Sequence, residues 1–297
     1  MTVDPAERTA LLARRRNLAT FLLANLAFWY GLAVLYFVGP FGDTRSFWLP
    51  WSQPIYDPTL PLRVPHFIYS PVVALVLRPF GLLPEPVFVL AWTALAVATY
   101  VWLLWPLPPA PRLAAIGAGC AFALNGNIEW ALALMVVLAM TRPAIWLTAA
   151  FTKVTPFIGF AWFMLKRDAV AMATTAVVGV GLVGLSALAL PGAWDTWLQM
   201  LWSFRGQADA PGVVIPSVPL VPRLCIAAGV MVWGVAKGRP IVLPVVLLLA
   251  QPDWEPWMLG YLAAVPRLRD LEVGGESRWA TPPRPRRPTL PHRGPAR

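Results

Sequence analysis

Asp43 stands five residues beyond the end of a long apolar run, in Gly39-Pro40-Phe41-Gly42-Asp43, where glycine and proline hold the chain close to that run. A carboxylate tethered at a membrane surface and partly closed to water can take a proton from an incoming hydroxyl, the work of a general base. The stretch that follows sets Arg45, Tyr56, Asp57, Arg63, His66 and Tyr69 among Trp48 and Trp51. Two readings of it stand side by side: an interfacial aromatic belt with solvated charges, or the wall of a site at the bilayer surface. Asp57, between Tyr56 and Pro58, sits in turn chemistry and reads as an Asx-turn former.

The elements that must position these residues are apolar. Of 297 residues, 58% are hydrophobic and 13% charged, and the mean hydropathy is +0.62; a soluble chain carries about 25% charged residues. The excess apolar surface must face lipid, and runs closed by Pro, Gly, Trp and Arg are the pattern of repeated membrane spans. The expected fold class is therefore all-α, a polytopic transmembrane helical bundle of about 8–10 membrane helices. A net charge of +10 does not point to nucleic acid. The arginines gather at Arg14-Arg15-Arg16 and in the tail, where Arg284, Arg286 and Arg287 alternate with proline, rather than on a folded basic face with aromatic platforms. Such clusters hold chain ends on the cytoplasmic side and touch anionic membrane lipid. Cys120 and Cys225 lie in apolar runs and read as packing residues.

The run 17–38 makes roughly 33 Å of helix, longer than the core of a signal peptide, so it reads as an uncleaved first span. With Arg14 to Arg16 inside, it delivers 39–66 to the external face. Further helices are expected at 67–80, 87–104, 113–124, 127–140, 144–165, 169–190, 217–236, 241–250 and 254–265, the shorter ones tilted, broken or re-entrant around a cavity. Parity then places Lys166-Arg167, Lys237-Gly238-Arg239 and the Arg267 tail inside, although none of these clusters enters the count. The resulting plan is a cytoplasmic N-terminus over 1–16, a membrane domain over 17–265 with external loops 39–66 and 191–216, and a disordered Pro/Arg-rich cytoplasmic tail over 266–297.

Asp43, Pro54-Ile55-Tyr56, Phe67-Ile68-Tyr69-Ser70-Pro71 and Arg78-Pro79-Phe80-Gly81-Leu82-Leu83-Pro84, with Trp92 in the next helix, form an ordered set. Downstream come Gly126-Asn127-Ile128-Glu129 and Lys153-Val154-Thr155-Pro156, the latter before a basic loop at Lys166-Arg167. In order and spacing the set resembles the polyprenol-phosphate-mannose-dependent mannosyltransferases of glycosyltransferase family 87, which often carry Gly-Gln-x-Asn and Lys-x-x-Pro at the last two places. The resemblance spans roughly residues 18–265. It implies a multi-helix fold of the GT-C type in the plasma membrane, a polyprenyl-phosphate sugar donor, a lipid or glycan acceptor, and an acidic loop residue matching Asp43. The candidate substrate-binding residues are Arg45, Tyr56, Arg63, His66, Tyr69, Asn127 and Lys153. A departing polyprenyl phosphate needs a cation for its developing charge, which Arg45, Arg63, His66 or Lys153 could supply.

Lys153 lies about ten residues below the turn at Arg142-Pro143, hence roughly 15 Å down its helix. An unpaired charge at that depth costs at least ~2.5–3.5 kcal/mol. Glu129 falls at nearly the same depth on the preceding helix, so the two can pair across the hairpin. Either the pair is structural, or the lysine snorkels upward toward donor phosphate. Trp194, Asp195, Trp197, Trp202, Arg205, Gln207 and Asp209 suit an acceptor sugar or an interfacial belt, and Asp253 and Glu255 could border the same cavity.

There is no Cys/His cluster, HExxH, phosphate-cradling glycine loop or serine elbow, so no metal and no cofactor is expected. A lipid or solute transporter and a non-catalytic membrane relative are the alternative readings. The topology predicts that cysteines introduced as Ser52→Cys and Gln207→Cys react with an impermeant maleimide added outside intact cells. Labelling of either only after membrane disruption would overturn it.

Overall fold

The computed structural model describes residues 5–38, 40–57, 59, 67–203, 219–251 and 256–274. Over these the chain forms α1 (Pro5–Val38), α2 (Gly42–Phe47), α3 (Pro71–Leu77), α4 (Glu85–Leu104), α5 (Pro109–Asn125), α6 (Glu129–Ala139) and α7 (Leu147–Phe151). There follow α8 (Ala161–Leu165), α9 (Ala169–Ala189), α10 (Ala193–Ser203), α11 (Leu220–Lys237), α12 (Leu243–Ala250) and α13 (Val265–Gly274). Tighter 3₁₀ segments at Arg78–Leu82, Pro143–Trp146, Thr155–Phe160, Pro240–Val242 and Pro256–Ala264 link several of them. No strand occurs among the described residues. Among the same residues, α4, α9 and α11 are each long and apolar enough to cross a bilayer, and four shorter apolar helical stretches accompany them. The chain is an all-α membrane helical protein.

Packing follows the small residues. Gly31 of α1 lies against Ala121 and Phe122 of α5, and Gly117 of α5 faces Phe28 of α1; small side chains let two helix backbones close when lipid provides no hydrophobic drive between them. Gly119 makes room for the ring of Tyr100 from α4. In contrast, α9 turns Val170, Val177, Val180, Leu185 and Leu188 outward, the face an apolar helix shows to lipid. The innermost layer is α6, whose Leu132, Ala133, Val136 and Ala139 are fully enclosed.

Three stretches differ from the hydropathy pattern. Helix α1 begins at Pro5, so Arg14 to Arg16 lie within it; proline is preorganised for a first turn, and the Ala, Leu, Glu and Arg that follow are strong helix formers. Residues 266–274, expected as the start of a disordered tail, are helical, because Leu268 is fully buried and Arg267 donates Nε to the Trp102 carbonyl at 2.9 Å. The rest of that tail lies outside the described residues. The stretch 144–165 is broken into α7 and α8 with a 3₁₀ segment between them. Pro156 has no N–H for the carbonyl of residue 152, while the Thr152 hydroxyl bonds back to the Thr148 carbonyl at 2.6 Å, a local alternative to helix continuation.

The segment 40–57 is clamped from several sides. Phe41 N–H donates to the Leu124 carbonyl at 2.8 Å, so α2 starts against the end of α5. Trp48 Nε1 donates to the Leu83 carbonyl, and Arg78 donates to the Trp51 and Gln53 carbonyls while stacking over Trp51 at 4.8 Å. Tyr56 donates its hydroxyl to the Tyr69 carbonyl at 2.8 Å. Beneath α2, Phe47 stacks on Trp92 at 4.6 Å and on Tyr69 at 5.1 Å.

Gly126 completes the clamp. It holds φ of 90°, a left-handed turn that ends α5, and a Cβ there would collide with the Thr44 side chain. Gly126→Ala therefore combines left-handed strain of roughly 1–2 kcal/mol with overpacking of about 1–3 kcal/mol. It should lower the melting temperature in detergent and expose 40–57 to limited proteolysis; an unchanged melting curve and digestion pattern would show that α2 is not docked on this turn.

Candidate functional site

The turn from α5 to α6 carries Asn125, Gly126, Asn127 and Glu129, all buried. A turn at the end of an apolar helix exposes carbonyls that need donors. Trp92 Nε1 serves one, reaching the Gly126 carbonyl at 3.0 Å, and Asn127 turns Oδ1 back onto the Ile128 N–H at 2.6 Å. Because Thr44 packs on Gly126, its neighbour Asp43 comes to the same turn, half-buried, with Ser46 bonded to its carbonyl at 2.7 Å. Asp43 is close enough to act electrostatically on Glu129.

Glu129 opens α6 and is 1% exposed. Its Oε1 receives Lys153 Nζ at 2.5 Å, with the lysine side chain 20% exposed. The pairing expected from equal depth is present. Lys153 reaches it from the break after α7, not from mid-helix. That break is held on its other side by the Ser70 N–H, which donates to the Phe151 carbonyl at 3.2 Å. Glu129 Oε2 is buried and has no hydrogen-bond partner among the described residues. Gly260 closes the wall, since a Cβ on it would press on the Tyr100 hydroxyl at 2.5 Å and on Glu129 Cβ at 3.4 Å.

The structure thus gathers Asp43, Asn127, Glu129 and Lys153 around one turn. Arg45 points elsewhere: two positions on along α2, about 200° around it, it pairs with Glu85 at 3.1 Å and is 68% exposed. There it lines an apolar groove of about 420 Å³ with Phe41, Pro86, Val89 and Leu124. Tyr56 and Tyr69 are buried in the aromatic layer under α2, and burial pushes the Tyr56 hydroxyl well above its ordinary pKa. Asp57 accepts from the Thr59 N–H at 2.9 Å and from the Thr59 hydroxyl at 2.6 Å, the Asx turn expected of it. Arg63 and His66 lie outside the described residues, as do Arg205, Gln207, Asp209, Asp253 and Glu255.

On α10, Trp197 Nε1 donates to the Ile68 carbonyl at 2.9 Å and Trp194 Nε1 to the Ser186 hydroxyl at 3.1 Å, so these indoles tie α10 down. Tyr100 lies with Glu129 around Gly260, and Thr155, Gln251, Tyr261 and Arg223 form a hydrogen-bonded chain that starts two residues from Lys153; sequence assigned none of these five a role. Of these, Arg223 alone carried a signal, as one arginine inside an apolar helix. It is buried and donates Nη1 to the Gln251 carbonyl at 2.7 Å. Among the described residues there is no group of three or more His, Cys, Asp or Glu that could hold a metal ion.

The family model of glycosyltransferase family 87 matches residues 67–265, more than half of the chain. The match takes in the α5–α6 turn and the Lys153 break and begins downstream of Asp43. No curated protein and no solved structure matches significantly.

Breaking one side of a buried ion pair typically costs ~3–5 kcal/mol. Lys153→Met and Glu129→Gln should each lower the melting temperature in detergent, and the double variant should recover much of the loss. Strict additivity in that cycle would mean that the two side chains do not depend on each other.

Proposed function

The chain belongs to glycosyltransferase family 87, and from that premise we propose that it transfers a hexose, mannose by the resemblance, from a polyprenyl-phosphate donor to a lipid or glycan acceptor. The reaction would take place at the external face of the plasma membrane, with both termini cytoplasmic. Support for the coarser reading, a membrane glycosyltransferase, is the family match together with the apolar helices. The observation that carries the finer one is the docking of α2, which brings Asp43 to the turn bearing the Glu129–Lys153 pair.

In this reading an acceptor hydroxyl attacks the anomeric carbon of the donor sugar. Asp43 takes the hydroxyl proton as the new C–O bond forms. The bond from the anomeric carbon to the phosphate oxygen breaks, and its electron pair leaves on the polyprenyl phosphate. Lys153 faces that growing negative charge, held until then by Glu129, which spares a buried ammonium the cost of standing alone. Asn127, on the same turn as Glu129, offers its Nδ2 amide group for sugar hydroxyls. Arg63 and His66 belong to the same external segment and are proposed donor contacts; Arg45, at the mouth of its apolar groove, faces the lipid portion instead.

A positioned general base contributes roughly 10²–10⁴-fold in rate. Asp43→Asn keeps shape and removes the basic oxygen, so transfer of label from radiolabelled polyprenyl-phosphate mannose to membrane lipid extract should fall by about that factor in well-folded protein. Asp57→Asn, which can still form its Asx turn, should stay near the unmodified rate. Near-normal transfer by Asp43→Asn, or a larger loss from Asp57→Asn, would remove Asp43 from the base role.

A further inference from the structure

The break that carries Lys153 is pinned at a second point, two residues on. Thr155 donates its hydroxyl to Gln251 Oε1 at 3.1 Å. Gln251 sits at the end of α12, 2% exposed, and donates Nε2 to the Tyr261 hydroxyl at 3.2 Å. Its backbone carbonyl receives Arg223 from α11. Gln251 therefore joins the break, through its side-chain amide, to α12 and the 3₁₀ segment at Pro256–Ala264 and, separately through its backbone carbonyl, to α11. A primary amide can accept and donate at once, and here it does both, in a place where an unmade hydrogen bond costs more than in water.

Resting on the function proposed above, we propose that Gln251 is a positioning residue that acts through Thr155. It fixes the height and direction of the Lys153 backbone, so that the ammonium meets the departing phosphate without a conformational search. Lys153 lies between two short helical segments, with Thr152 bonded back to the end of α7 and the Val154 carbonyl accepting from Phe157 N–H at the start of the next. The Glu129 contact fixes the tip of the Lys153 side chain; the Thr155–Gln251 bond fixes its root. A group that only stabilised the bundle would affect folding, whereas one that orients Lys153 for the transition state affects kcat more than donor KM.

Thr155→Val removes the hydroxyl at nearly constant volume, and Gln251→Met removes the amide while keeping the chain length. A hydrogen bond of this kind is worth up to about tenfold. Each variant should lose about that factor in kcat with donor KM within about twofold. The double variant should be no slower than the worse single one, and Thr155→Ser should restore the rate. Equal kcat in Thr155→Val and the unmodified protein, or additive losses in the double variant, would overturn the proposal. So would a loss that appears only as a lower melting temperature, or failure of serine to rescue. If Gln251→Met does not fold, the Thr155 series decides alone. If the unmodified protein transfers no label from polyprenyl-phosphate mannose, the donor assignment has failed. The positioning role is then judged by the double-mutant cycle between Thr155→Val and Lys153→Met in thermal stability, where additivity would overturn it too.

Discussion

An ammonium withdrawn from water inside an apolar bundle demands a counter-charge, and the surroundings of Lys153 are organised around that demand. The carboxylate that answers it, on Glu129, is itself sealed from solvent, so each charge is tolerable only because of the other. Placing two such charges face to face fixes the start of α6 against the end of α7. The stretch 144–165 is not one helix, because Pro156 lacks an N–H for it, and it is from the resulting break that Lys153 meets its partner. The Phe151 carbonyl freed by that break finds the Ser70 N–H, in keeping with the rule that irregular backbone at membrane depth must be satisfied by protein.

Around this centre the loop bearing Asp43 is held by aromatic rings and by main-chain bonds from long side chains. Trp92 is the junction, stacked on Phe47, edge-on to Trp130 at 5.2 Å and bonded to the Gly126 carbonyl. Rings of this kind bring large contact area with few rotatable bonds, which makes them suited to holding a short helix of six residues that has little stability of its own. The Arg78 to Pro84 stretch acts on the same loop from below. Arg78 binds its backbone carbonyls, the Leu83 carbonyl accepts from its Trp48 indole, and Gly81 admits the Leu49 carbonyl where any side chain would block it.

Much of this was legible in the residues. The all-helical membrane architecture follows from hydropathy, and the Lys153–Glu129 pair from helical rise, because charge at depth is expensive enough to force a partner. Asp57 was legible because its turn is made by residues next to it in sequence. The Thr155–Gln251–Tyr261 chain was not, since uncharged polar residues scattered in apolar runs carry no penalty large enough to require one particular partner. Tyr56 and Tyr69 show another limit. An interfacial tyrosine reads the same in sequence whether its ring faces substrate or lies stacked beneath a loop, and only packing tells the two apart. The helix beyond Val265 likewise depended on contacts, such as Trp102 with Arg267, that no periodicity encodes.

The 3₁₀ form of Pro256–Ala264 gives this part of the molecule an unusual sensitivity to register. With three residues per turn, positions i, i+3 and i+6 eclipse one another, and Met258, Tyr261 and Ala264 form one such row, all buried. The Gly260 and Ala263 row beside it is buried as well. Such rows run parallel to the axis and do not drift as an α-helical stripe does, so each behaves as a straight edge with its own chemical character. Losing or gaining one residue here rotates everything beyond it by roughly 120°, which trades one whole edge for another. Tyr261 would leave Gln251, and a side chain would arrive where only Gly260 fits beside Glu129.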